Sequence, residues 1–212
     1  MIDPVTIIHK DKIFVVIIKK SGFLSVPGRG PENKDCVTAR VKKLYPDCIE
    51  QPSVHRLDMD TSGLMVMALT KESHRNLSIQ FQDRWTEKTY IALLDGIIEG
   101  DSGTIELAFR LDVDNRPIQI YDPECGKMGI THWKKLEVKN GITLIEFTPV
   151  TGRTHQLRLH SSHHLGLGIP IIGDPFYGTE TEPGKLKLHA NFLSFYHPET
   201  EEKLSFYSEP SF

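Results

Sequence analysis

The sequence predicts an α+β fold: one domain built on a mixed, mainly antiparallel β-sheet flanked by helices. Three observations carry this expectation. The clean apolar runs are of strand length, as in Ile13 to Ile18 and Leu64 to Leu69. Asn140-Gly141, the strongest short hairpin signal in the chain, joins two strand-like segments, residues 129–138 and 142–147. Helical periodicity is confined to a few segments, at 35–44, at 71–83 and from about Arg153 onward.

Composition bounds the reading. The chain has 212 residues, enough to bury a real core. No internal repeat, low-complexity stretch or linker interrupts it, so residues 1–212 are expected to form a single domain. The formal net charge is -3, which is not the global signature of a nucleic-acid binder, although local clustering can still build a basic face. Cys36, Cys48 and Cys125 lie far apart, which suits a reducing cytoplasm and offers no thiolate metal site. Ile13 to Ile18 is too short to span a membrane, and no signal-peptide pattern precedes it.

Taken in order, the strand at Ile13 to Ile18 closes at Lys19-Lys20-Ser21-Gly22. Phe23 to Gly28 continues as an extended piece into a Gly/Pro loop at residues 27–31. Asp35 is expected to cap a helix running to Leu44, with Val37, Val41 and Leu44 on one face and Arg40, Lys42 and Lys43 on the others. Pro46 ends it. After Leu64 to Leu69, Thr70 is the expected N-cap of a helix over Lys71 to Asp83, with Leu77 and Phe81 inward. Glu87 to Leu94, rich in β-branched and aromatic residues and ended by Asp95-Gly96, reads as a strand. Residues 97–128 imply strands and loops without a definite register. Leu186 to Tyr196 alternates as a strand, and Glu199, Glu201 and Glu202 follow in a solvated loop.

Two stretches carry candidate chemistry. The first is His55-Arg56-Leu57-Asp58-Met59-Asp60-Thr61-Ser62-Gly63, on the loop leading into the buried strand at Leu64. On spacing alone it is more often a surface ion pair with ordinary turn residues. The second is Thr151-Gly152-Arg153-Thr154-His155-Gln156-Leu157-Arg158-Leu159-His160. Residues 151–164 hold two Arg and four His and no acid, so the bland reading is a solvated basic helix face. His160-x-x-His163-His164 has ligand-like spacing, but no nearby acid or cysteine completes a metal set. Tyr90, on the strand at 87–94, is by itself more often a core tyrosine than a catalytic one.

Three motifs in order resemble those of the RluA-type pseudouridine synthases: His-Arg-Leu-Asp with Thr-Ser-Gly-Leu, Glu-Lys-x-Tyr, and Gly-Arg-x-His-Gln-Leu-Arg. The resemblance runs from about residue 13 to the C-terminus and includes Gly173-Asp174-Pro175-Phe176-Tyr177-Gly178 and the Leu-His-Ala of the last long strand. Lys20 stands where the family usually has Pro, and Ile169 where it usually has His. The resemblance implies a catalytic cleft across the sheet. Asp58 would be the catalytic carboxylate, Tyr90 would pack against the target base, and Arg158 would pair with Asp58. Arg56 would enter the space left by a flipped uridine. His55, Thr61, Arg153, His155 and Gln156 are the further candidate substrate contacts. The pattern starts too near the N-terminus for the small RNA-binding domain that many members carry ahead of it.

The implied reaction breaks the uridine N-glycosidic bond, turns the uracil and rejoins it through carbon. It requires no redox step and so no cofactor, and no dinucleotide fingerprint or phosphate loop is present. The implied partner is RNA, with no membrane and a monomeric protein. The lack of an accessory domain and the Asn115-Arg116-Pro117 to Thr131-His132-Trp133 region strengthen the resemblance, which implies a stem-loop in transfer RNA, in large-subunit ribosomal RNA, or in both. Two other classes fit parts of the pattern: an RNA-binding module without catalysis, and a metal-dependent sugar-transfer enzyme using Asp58 and Asp60 as ligands.

Overall fold

Phe-Val-Val-Ile-Ile-Lys is β-branched almost throughout, and in the computed structural model it forms the buried strand β2 (Phe14–Lys19). The structure describes residues 5–178 and 184–212. Among the described residues there are ten strands and three α-helices, and the ladders β1·β2, β2·β3, β9·β10, β4·β8, β7·β8, β5·β7 and β5·β6 are all antiparallel. This is the expected α+β, mainly antiparallel architecture.

The chain divides into two compact units. One runs through Lys88 and resumes over Ala190–Ser211; the other is Thr89–His189 with Phe212. In the first, β1 (Val5–Lys10) pairs with β2, and β2 pairs with β3 (Ser62–Ala68). Their register sets Lys19 opposite Gly63 and Phe14 opposite Ala68. The end of β2 therefore lies beside the loop that enters β3. A core of Phe14, Val16, Leu64, Val66, Ala68, Leu77, Leu193 and Phe195 holds these strands, with β9 (Leu188–Tyr196) carrying its own partner β10 (Lys203–Tyr207).

Helix α1 spans Val37–Leu44, but Cys36 caps it, its sulfur accepting the Ala39 N–H at 3.4 Å. Asp35 does not cap, because both its oxygens are taken by Arg40 at 2.6 Å. Of the three residues expected on one face, Val37 and Val41 are buried, while Leu44, at the last helical position, is exposed. Helix α2 (Lys71–Gln82) starts as expected: Thr70 accepts the Ser73 N–H, and Ser73 returns a bond from the Thr70 N–H. Leu77 is fully buried, and Phe81 packs against the same core.

In the second unit β4 (Glu87–Leu94) pairs with β8 (Ile142–Pro149), β8 with β7 (Lys127–Lys139), β7 with β5 (Ser102–Leu111), and β5 with the short β6 (Gln119–Tyr121). Asn140 and Gly141 have φ of 54° and 79°, so the β7–β8 hairpin turns through the left-handed conformations its Asn-Gly predicts. Helix α3 (Gln156–Ser162) packs Leu157 against Ala92, Leu94, Ile145 and Phe147, and Leu159 against Ile105, Leu107 and Phe109. It begins at Gln156 and not near Arg153, because His155 at φ 55° is left-handed and cannot join the helix.

Candidate active site

The loop carrying Asp58 is clamped from one side by the end of β2 and the turn after it. Lys19, fully buried, donates from Nζ to the carbonyls of Lys20 (3.0 Å), Phe23 (2.8 Å) and Met59 (2.8 Å). The Phe23 N–H also reaches Met59 O at 3.2 Å, and Ser21 Oγ donates to Asp60 O at 2.5 Å. Ser25 Oγ donates to Leu57 O and accepts from Leu57 N–H. The Thr61 N–H closes a tight turn onto Asp58 O at 3.2 Å. Each residue from Leu57 to Thr61 thus has a backbone anchor. Asp58 itself is half-buried, while Asp60 and Thr61 are buried and Arg56 is exposed. Burial draws the Lys19 pKa down to about 7 against the opposing pull of Asp60 and Asp58.

His55 opens the same loop. Its Nε2 accepts the Val66 N–H at 3.0 Å, which fixes the neutral Nδ1–H tautomer, and its ring stacks on Phe81 with centroids 4.3 Å apart. Burial and, secondarily, Lys88 hold its pKa down at about 3. Gly63, at φ 118°, faces the Ala190 backbone so closely that any Cβ would overlap it.

In the second unit Arg158 is 1% exposed and gripped by Asp174, with Nε to Oδ2 at 2.8 Å and Nη2 to Oδ1 at 2.6 Å. Its guanidinium also lies 5.1 Å from the Phe176 ring centroid and 5.4 Å from that of Tyr177. Asp174 Oδ1 accepts the N–H groups of Phe176 and Tyr177 as well, so one carboxylate organises both the loop and the guanidinium. Tyr177 Oη accepts the Gln119 N–H at 2.8 Å and meets His155 Nδ1 at 3.0 Å. Gln156 uses its whole capacity inside the protein: Oε1 accepts from Thr151 Oγ1 and Arg153 N, and Nε2 donates to Ile130 O and Thr131 Oγ1. Arg153 Nε donates to Met128 O at 2.7 Å. Tyr90 is half-buried on β4, opposite Phe147 and packed against the core of this unit.

Sequence reasoning missed Lys19, Ser25, Asp174 and Tyr177 as parts of the machinery. Gly-Asp-Pro-Phe-Tyr-Gly was a visible signal for two of these, but nothing local joined it to Arg158. On helix α1, Arg40 is held by Asp35, and Lys42 by Glu50 at 2.5 Å.

His160 supplies a pH prediction. It is fully buried, and neither ring nitrogen has a hydrogen-bond partner among the described residues. Burial and, secondarily, His163 bring its pKa from 6.5 down to about 4. The folded protein then binds this proton less readily than the unfolded chain. Its contribution is complete above pH 6.5 and is lost as pH falls from there toward 4, on the order of 3 kcal/mol in all. His160→Leu, followed by thermal melts between pH 7 and 4, should be less acid-sensitive than wild type. An identical pH dependence in the variant would remove His160 as a cause.

Comparison with known proteins defines the class. Residues 13–163 match the RNA pseudouridylate synthase family, and the chain belongs to it. It is a pseudouridine synthase acting on RNA. The chain is 46% identical over 215 residues to the dual-specificity RNA pseudouridine synthase RluA of Pasteurella multocida, covering 99% of this chain and 95% of that one. It is 39% identical to the protein of the same description from Escherichia coli, over 97% and 93% of the two chains. Among solved structures it resembles human RNA pseudouridylate synthase domain containing 1, with a TM-score of 0.75, 27% identity, and 97% and 83% coverage. Human RNA pseudouridylate synthase domain containing 4 gives a TM-score of 0.74 at 25% identity, with 96% and 88% coverage. Among the described residues no helix is long and apolar enough to cross a membrane.

Proposed function

We propose that this chain isomerises uridines in structured RNA, a stem-loop in transfer RNA, in large-subunit ribosomal RNA, or in both, as one catalytic domain. The dual specificity in the names of its relatives supports the two-substrate reading. The observation that carries the mechanism is the Asp58 loop, anchored at every residue from Leu57 to Thr61. A carboxylate that acts on the sugar, as nucleophile at the anomeric carbon or as base at the neighbouring carbon, must be held in one place. Arg158 keeps Asp58 ionised and aimed, and Asp174 fixes Arg158 for that task. Arg56, exposed on the same loop, fills the space left by the flipped uridine. Thr61, Arg153 and His155 line the substrate's path, while His55 and Gln156, committed to internal hydrogen bonds, hold backbone in place. The protein works in the cytoplasm as a monomer and without a cofactor.

Mapping pseudouridine in RNA from cells with and without this gene tests the substrate. Loss of modification at one or more transfer or ribosomal RNA positions is expected, and an unchanged map overturns the proposal. Full activity of the purified protein in excess chelator is expected; inactivation reversed by a divalent cation would restore the metal-dependent reading.

Tyr90 gives a second expectation. Tyr90→Phe keeps the ring and loses the hydroxyl. If the hydroxyl moves a proton late in the reaction, release of hydrogen from uracil carbon 5 falls by roughly 100-fold or more while RNA affinity holds. Unchanged release in Tyr90→Phe, with a large loss in Tyr90→Leu, would leave Tyr90 a packing role only.

A further inference from the structure

The C-terminal end of α2 presents cations that no acid among the described residues neutralises. Helix α2 ends at Asp83; Arg84 then takes φ 61°, and the Trp85 N–H reaches back to Gln80 O at 2.9 Å. This is a Schellman ending, whose left-handed position normally holds glycine. Here it holds an exposed arginine, and the residue it projects next, Trp85, is 57% exposed. Lys88 follows, half-buried, with Nζ 6.0 Å from the centre of the Phe81 ring on which His55 stacks. Burial first, and Arg84 second, pull the Lys88 pKa down, with no acid opposing them. The neighbouring Glu87 is engaged by Lys203 at 2.6 Å, and Asp83 makes no ion pair among the described residues. Arg56, Arg84 and Lys88 likewise have no acidic partner among the described residues, in contrast to Arg40 and Lys42 on α1. Two cations held together, one of them partly desolvated, are costly without an anion.

We propose that Arg84, Trp85 and Lys88 form an RNA-binding surface continuous with the His55–Arg56 end of the catalytic loop. The two cations take backbone phosphates, and Trp85 stacks on an unpaired base beside the target uridine. This rests on the RNA reading above. The fit is chemical: phosphates require uncompensated cations, and an exposed indole offers a face to any base.

The test is RNA binding over a salt series, with pseudouridine formation by the wild-type protein measured on the same RNA. Arg84→Gly removes the charge and supplies the residue the backbone prefers, so its melting temperature should equal or exceed wild type. Lys88→Met keeps an apolar stem over Phe81. Each should weaken binding and lower the slope of log affinity against log salt by about 1. Trp85→Ala should weaken binding roughly five- to a hundredfold at every salt concentration without changing the slope, and Trp85→Phe should restore most of that loss. Wild-type affinity and slope in all three of Arg84→Gly, Lys88→Met and Trp85→Ala overturn this surface. Should the wild-type protein form no pseudouridine in that RNA, the proposed substrate fails instead, and the binding measurements still decide the surface.

Discussion

Asp58→Asn should bind RNA within a few-fold of wild type and form no detectable pseudouridine, a loss of at least about four orders of magnitude in rate. The substitution keeps the size of the side chain and leaves the surrounding anchors alone. Those anchors are backbone bonds, from Lys19 and Phe23 to Met59 O, from Ser21 to Asp60 O and between Ser25 and Leu57, and none uses the Asp58 side chain. These anchors should keep the loop in place while the charge proposed to do the chemistry is removed. Asp60→Asn is the control. Asp60 is buried beside Lys19, so that variant should lose stability before it loses chemistry. Appreciable turnover by Asp58→Asn, with none by Asp60→Asn, would transfer the carboxylate's role to Asp60.

Much of this fold could be read from local pattern. Strand β2, the Thr70 cap of α2 and the Asn140-Gly141 hairpin are all specified within a few residues of themselves. Strands β1 and β10 were not legible. Both are short, and Val-Thr-Ile-Ile-His-Lys and Lys-Leu-Ser-Phe-Tyr become strands by pairing with β2 and β9. The site divides in the same way. Asp58, Tyr90 and Arg158 stand in motifs that announce themselves. Lys19 ends an apolar run like any surface lysine, and its meaning arises from a carbonyl 40 positions away in the chain. Arg40 and Lys42 read in the sequence as cations on the outer faces of a helix, and their partners, Asp35 and Glu50, are found only in space. Arg84 and Lys88 gain interest for the opposite reason.

Asp174 is the clearest residue of this second kind, and its removal should have the largest effect on stability. Arg158 and Asp174 are each 1% exposed and bonded through two parallel N–H···O contacts. Asp174→Asn removes the carboxylate that grips this buried guanidinium, and breaking such a pair from one side costs about 3–5 kcal/mol. For a chain of this size that lowers the melting temperature by roughly 6–20 °C. Activity should fall with it at temperatures where the variant is still folded, chiefly in kcat, because Arg158 loses the group that orients it. A double variant separates the two effects. Arg158→Met with Asp174→Leu removes both charges, and replacing a buried pair by apolar side chains is often neutral for stability. The double variant should therefore regain much of the lost melting temperature and remain inactive. Recovery of pseudouridine formation along with stability would show that Arg158 and Asp174 only hold the fold. A melting temperature unchanged in Asp174→Asn would mean that Arg158 finds its counter-charge elsewhere, with Asp58 the carboxylate to test next.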